Sequence, residues 1–261
     1  MVASRYALPH LTGRFWPVVL RHFLVWRKLA VPSVLGNIAE PLITLVAFGY
    51  GLGSLVGSVE GIPYIAFIAS GSVAASAALA ATFEGLYSAY SRMAIQKTWD
   101  GILNAPVALD DIVFAEMLWA ALKALFSVAA ILVVVYVLGI SRAPTMVLAL
   151  PVLGLVGITF SCIALIFNAL AKGYDFFTYY FTLVVTPMTF LSGVYFPVSQ
   201  MPGWLQSFAN VLPLKAAVDL VRPLVLGHLP PEPLVPLLIL VGYAVVGYWL
   251  ALVLTRKRFF G

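Results

Sequence analysis

Charge is what this chain has least of. Asp, Glu, Lys and Arg together make 10% of its 261 residues, against about 25% in a soluble domain. Too few polar groups remain to coat a soluble globule, so lipid is the expected solvent. Cysteine is almost absent as well. Cys162 stands alone in an apolar run, which excludes an internal disulfide and a Cys/His metal cluster and leaves a small core residue. No G-x-x-x-x-G-K-[ST] phosphate loop occurs, so the chain does not cradle a nucleotide by that device. H-E-x-x-H and G-x-S-x-G are missing too. The histidines, His10, His22 and His228, lie far apart in sequence, which argues against a metal or triad role. Gly49, Gly51 and Gly53 form G-x-G-x-G, but no strand precedes them, so they read as a helix terminus and not a dinucleotide loop.

What fills the chain is apolar: 62% of the residues are hydrophobic and the mean hydropathy is +1.03. A helix needs about 20 apolar residues to cross a bilayer core. Six runs qualify, at 34–56, 62–82, 112–138, 146–171, 176–196 and 234–254. They are continuous, where barrel strands would alternate polar and apolar positions. The expected fold is therefore an all-α integral membrane bundle of six transmembrane helices in one domain. Residues 14–30 differ in kind. Arg14, Arg21 and Lys28 recur every seven residues between Trp16, Phe23 and Trp26, the pattern of an amphipathic helix lying in the membrane interface. The basic residues before the first run, broken by Pro9 and Pro17, do not resemble a signal peptide, so insertion by the first uncleaved span is expected.

The net charge is +5 and the pI about 9.4. No basic face with interleaved aromatics lies outside the spans, so nucleic acid is not an expected partner; anionic lipid head groups are. With both termini cytoplasmic, eleven Lys/Arg residues lie inside and three, Arg142, Lys215 and Arg222, outside, with Lys123 within a span. That asymmetry predicts both termini inside. Two connections are long. The inner one, 83–111, carries Arg92, Gln96, Lys97, Thr98, Trp99 and Asp100; Asn104–Pro106 ends any helix there, and Asp110 or Asp111 can cap the next. The outer one includes 202–226, an apolar stretch broken at Pro202 and Pro213, suited to short re-entrant helices. No internal repeat stands out, which argues against an inverted-repeat transporter.

Three ionisable residues fall within predicted spans: Glu40, Glu116 and Lys123. Such charges turn inward and mark function by default. Glu116 and Lys123 are seven apart and share a helical face, and a Glu40–Lys123 pair would partly neutralise both; separate access to water is the alternative. Pro41 is expected to kink the first span. The small-residue run 69–78 permits close helix packing, within the bundle or at a moving subunit interface. Tyr174, Phe177, Tyr180 and Phe181, in an aromatic string with Phe176 and Tyr179, form an interfacial aromatic belt or a substrate gate that stacks on sugar rings or lipid tails.

Specific strings go further than composition. EPLITLVAFGYGLG (40–53), FEGLYSAYSRMAIQKTWDGILNAPV (83–107) and FLSGVYFPVSQMPGWLQSFANVLPLKAAVDLVRPLV (190–225) resemble the permease subunits of type-2 ABC exporters. Within them they are most similar to the NodJ (nodulation protein J) group of lipo-oligosaccharide exporters. The resemblance covers nearly the whole chain. It implies the interfacial helix, six spans, a cytoplasmic coupling helix and an external re-entrant pair, in the bacterial inner membrane. It also implies a separate cytoplasmic ABC ATPase subunit (NodI-like) that holds ATP and Mg, with no cofactor on this chain, and a second copy of the permease.

On that resemblance, residues 93–103 are the candidate coupling helix. Ile95, Trp99 and Ile102 would fill an apolar cleft on the ATPase while Arg92, Lys97 and Asp100 set orientation; a plain solvated loop is the alternative. The expected function is ATP-driven export of a lipo-oligosaccharide or glycolipid-like substrate. Export of hydrophobic drugs or other lipids is the runner-up. A membrane-embedded lipid-modifying enzyme would need Asp, His or Arg clustered at one depth, and here they are scattered.

Overall fold

The computed structural model describes residues 6–261, apart from the side chains of Asn37 and Glu40. Arg5, one of the bases counted as cytoplasmic, lies outside the described residues. In chain order the helices are α1 Phe15–Trp26, α2 Ala30–Thr44, α3 Gly53–Val56, α4 Tyr64–Phe83, α5 Thr98–Leu103 and α6 Leu109–Val137. Then follow α7 Met146–Leu170, α8 Asp175–Tyr180, α9 Thr186–Leu191, α10 Gly203–Ala209, α11 Pro213–Leu226 and α12 Leu234–Phe260. A small antiparallel hairpin pairs β1 Ser58–Val59 with β2 Ile62–Pro63. Its turn residues Glu60 and Gly61 both have positive φ, 52° and 78°, as the tightest two-residue hairpins require.

Among the described residues five helical stretches are long and apolar enough to cross a membrane: Phe15–Val56, Tyr64–Ile95, Leu109–Val137, Met146–Leu170 and Leu234–Phe260. The first merges the expected interfacial helix with the expected first span. A 3₁₀ turn at Arg27–Leu29, with Leu29 at φ −121° and ψ 19°, separates the two parts. Pro41 lies inside α2, and one turn later the helix widens into a π-helical stretch, Leu45–Leu52. The helix therefore does not end at Gly49–Gly53 but runs on to Val56. The predicted span at 176–196 is the one that falls short. Its place is taken by α8, a π-helical segment Phe181–Val185 and α9, which stops at Leu191.

The bundle has two ends. At one, Arg256 of α12 bonds the carbonyls of Ala7 and Leu8 and the carboxylate of Asp110. Beside it Arg258 donates to the carbonyls of Asn168, Ala169 and Ala171, closing the C-terminus of α7. At the other end sit the β-hairpin, Tyr64, whose hydroxyl donates to the Tyr195 carbonyl, and the Ser199–Glu60 hydrogen bond. We call these the terminal end and the hairpin end.

Helix α4 runs through the middle, packed by α6, α7 and α11. Its small residues make that position available. A Cβ on Gly71 would lie 2.8 Å from the Val194 carbonyl, and one on Gly85, just past α4, 2.8 Å from Ala164 Cβ. Ala69, Ser70, Gly71, Ser72, Ala74, Ala75, Ala77 and Ala78 are all buried within the chain, so the small-residue face serves packing inside the bundle. Cys162 is buried in the same way.

Candidate functional site

The helix predicted to stop near Thr82 continues through π-helical turns at Glu84–Ser88 and Ser91–Ile95. Both turns lie between α4 and α5, in what the sequence marks as a loop. The extension carries Glu84 and Arg92 toward α6, where Glu116, Trp119 and Lys123 occupy one face at helical spacing. Arg92 forks over Glu116, with Nε 2.9 Å from Oε1 and Nη2 2.5 Å from Oε2, and Nη2 also reaches Glu84 Oε1 at 2.9 Å. Lys123 Nζ takes the other Glu84 oxygen at 2.7 Å. Two indoles complete the set: Trp119 Nε1 donates to Glu84 and Trp99 Nε1 to Glu116. The carboxylates are 3% and 1% exposed. Removed from water, each depends on its partners, because loss of one member of a buried pair leaves an uncompensated charge.

Glu116 and Lys123 do share a face, as their spacing predicts. The Lys123 ammonium, however, is taken by Glu84, and the side chain of Glu40 lies outside the described residues, so the anticipated Glu40–Lys123 pair finds no support. Arg92 is likewise not a rim charge on a lever but the centre of this cluster.

Residues 93–103 do not form a single helix. The long helix ends at Ile95, Lys97 adopts a left-handed conformation at φ 51°, and α5 starts at Thr98. Trp99, expected to face a partner, is 1% exposed, stacked on Phe259 and hydrogen-bonded to Glu116. Its polar N–H meets a buried carboxylate and its ring fills the core, so it anchors α5 inward. Ile102 is half-buried on the same side. Ile95, 61% exposed, and the exposed Lys97 and Asp100 form the outward tip. Asp110 and Asp111 do not cap α6 either; its N-cap is Ala108 with no side-chain bond. Asp110 pairs with Arg256 and accepts from the His10 N–H, and Asp111 accepts from Thr12. Together with the Arg14–Pro106 carbonyl bond, these contacts lay the N-terminal segment along the terminal end.

The aromatic string divides. Phe177 is fully buried, and Tyr180 is buried with its ring 4.2 Å from that of Phe167; neither offers a face to a passing substrate. Tyr174 and Phe181 instead continue a stack with Tyr87 and Phe83, and Tyr174 and Phe83 keep substantial exposure. These four rings form one continuous stack, and Tyr179 of the same string is exposed beside Tyr180 in sequence.

At the hairpin end, Arg222 of α11 lies 3.8 Å over the Phe67 ring and donates to the Gly193 carbonyl and Ser70. Burial pulls its pKa down to about 10, against the upward pull of Asp219 and Glu60, so it remains charged at neutral pH. Helices α10 and α11 begin directly after Pro202 and at Pro213, where the sequence broke the outer stretch.

A model of the ABC-2 type transporter family matches residues 14–226. The chain belongs to that family. Among ABC-2 relatives it is 44% identical to "Nodulation protein J" of Rhizobium meliloti (strain 1021) over 256 residues, 97% of this chain and 96% of the relative. It is 44% identical to "Nodulation protein J" of Bradyrhizobium diazoefficiens over 244 residues, 93% of each chain. A more distant relative, "Inner membrane transport permease YadH" of Escherichia coli (strain K12), is 23% identical over 200 residues, 76% of each. This ABC-2 chain is thus a multi-pass membrane transport subunit and not an enzyme, and its charge cluster is read in that light. Among the described residues no group of three or more His, Cys, Asp or Glu could hold a metal. What the cluster does is tie three segments together: the long helix through Arg92 and Glu84, α6 through Glu116 and Lys123, and α5 through Trp99. His22 of α1 closes it, with Nε2 3.3 Å from Glu116 Oε1.

Glu84, Trp119 and His22 are the members that sequence reasoning missed. Glu84 fell at the edge of a presumed loop. Its spacing of eight from Arg92 leaves the two about 80° apart on a plain α-helix, and one residue inserted in a π-turn makes it equivalent to the better aligned seven.

Proposed function

We propose that this chain is the membrane-embedded permease of an ATP-driven exporter that moves a lipo-oligosaccharide out across the bacterial inner membrane. The observation that carries the reading is the near full-length similarity to nodulation protein J. Six crossings, with both termini cytoplasmic, are part of it. The segment from α8 to α9 starts near Ala171 at the terminal end and stops beside Gly193 at the hairpin end. At about 26 Å for its helical length it is close to a hydrocarbon core of about 30 Å. Helices α10 and α11 then serve as the external re-entrant pair.

In this reading ATP and Mg sit on a separate ATPase subunit, and a second copy of the chain completes the path. The tip formed by Ile95, Lys97 and Asp100 meets the ATPase, and a push on α5 is carried through Trp99 to Glu116 and so to Arg92 and the long helices. The anchor being internal suits a lever, which needs a rigid root as well as a contact surface. The test is reconstitution with the partner ATPase in proteoliposomes, following ATP hydrolysis and appearance of a fluorescent lipo-oligosaccharide on the far side. Stimulated hydrolysis with ATP-dependent movement is expected. Stimulation only by hydrophobic drugs or simple lipids would replace this reading with the broader exporter class.

A further inference from the structure

Between α1, the extension of α4 and α6 lies a cavity of about 460 Å³. That is far more than the roughly 30 Å³ share of one liquid water, so it can receive a molecular group and not just an ion. Its polar wall is rich in donors. Arg21 of α1 reaches it, as do Lys123 and Arg92 from the charge cluster, with Ser33 and Gln96 at its margins. Lys123 spends one bond on Glu84 and keeps others to give. Among the described residues Glu84 is the lone carboxylate that lines it. Even with the adjoining Glu116 counted, three cations face two anions among the described residues.

His22 lines the cavity as well, 3% exposed, with its Nε2 turned to Glu116 Oε1 at 3.3 Å. Around this polar wall stand Val25 and Leu29, both exposed, and the ring of Trp26. An anion-accepting pocket beside an apolar rim on an amphipathic helix fits a molecule with a charged head and a hydrocarbon tail.

We propose that this cavity binds the phosphate headgroup of an anionic phospholipid, with the acyl chains lying along Val25 and Leu29. The excess of cations separates this ligand from a neutral oligosaccharide, which would need no such imbalance. The existence of the site does not depend on the identity of the exported substrate.

The test uses the full-length protein, delipidated in neutral detergent and titrated with phosphatidylglycerol or phosphatidylcholine, with bound lipid counted by native mass spectrometry. Phosphatidylglycerol should be retained in preference. Arg21→Gln should weaken it about fivefold, the equivalent of ~1 kcal/mol for one cation at a lipid surface. Arg27→Gln, which removes the same charge from an exposed position outside the cavity, should change retention little. Ser33→Phe, which fills the mouth without altering charge, should also abolish the preference. Equal retention of the two lipids, or equal loss in Arg21→Gln and Arg27→Gln, would overturn the proposal. Displacement of the lipid by inorganic phosphate alone would overturn the lipid assignment in favour of a free anion. Displacement by a neutral oligosaccharide would overturn it in favour of a sugar.

Discussion

The indole N–H of Trp99 donates to Glu116 Oε1 at 2.9 Å, joining a six-residue surface helix to a buried carboxylate on the longest uninterrupted α-helix of the bundle. The two side chains are 1% exposed each, so the bond is screened from water at both ends. Trp99→Phe keeps the ring beside Phe259 and removes only the donor. It should lower stability by about 1.5–3 kcal/mol, the range for a hydrogen bond to a charged group. Trp99→Ala also opens a cavity and should cost about 3–5 kcal/mol. Thermal unfolding of the detergent-solubilised protein measures both. In the reconstituted complex each should also reduce substrate-stimulated ATP hydrolysis, and unchanged stimulation would remove α5 from the coupling path.

Glu84 accepts from Arg92, Lys123 and Trp119. Glu84→Gln should therefore destabilise by about 3–5 kcal/mol, as when a buried ion pair loses one member. Lys123→Met should cost less, since Lys123 is partly exposed and Glu84 retains its other donors. The double variant should fall short of the sum by about 0.5–3 kcal/mol. Strict additivity in the melting series would show that the two residues do not interact.

Gly85 faces Ala164 of α7 so closely that an added Cβ would sit 2.8 Å from Ala164 Cβ. Gly85→Ala should destabilise by about 1–3 kcal/mol through overpacking. Adding Ala164→Gly should recover most of that loss, because it removes the atom in the way. Failure of the second substitution to rescue the first would mean that the two helices are not in this register.

Arg256 holds Asp110 and the carbonyls of Ala7 and Leu8. Arg256→Gln should release the N-terminal segment, and a nonspecific protease should then cut within residues 6–13 sooner than in the parent protein. Cleavage at the same rate would show that His10 and Thr12 suffice to hold the segment on Asp110 and Asp111.

Much of this arrangement is written in hydropathy. The apolar runs at 112–138, 146–171 and 234–254 correspond to α6, α7 and α12, and Pro202 and Pro213 mark where α10 and α11 begin. The seven-residue step from Glu116 to Lys123 correctly gives a shared face. What periodicity could not reveal lies where the helix departs from 3.6 residues per turn. The polar residues Glu84, Ser88, Ser91 and Arg92 look like a loop until one knows that other buried charges await them. Trp99 invites a surface role because its neighbours Lys97, Thr98 and Asp100 are polar; only the distant Glu116 and Phe259 make its burial intelligible. Long-range partners of this kind leave no local pattern.

The π-turn at Glu84–Ser88 also sets a rotational phase. Each residue of an α-helix turns the chain by about 100°, and the widened π-turn absorbs one extra residue without passing that rotation on. Removing a single residue there should therefore let plain α-helix replace the π-turn with Arg92 still facing Glu116, seven residues from Glu84, whereas removing one from an ordinary helical turn of α4 would swing Arg92 away and re-aim α5. The tip and the buried cluster are thus kept in step by a count of turns and not of residues, in the way that meshed gears are kept in step by a count of teeth.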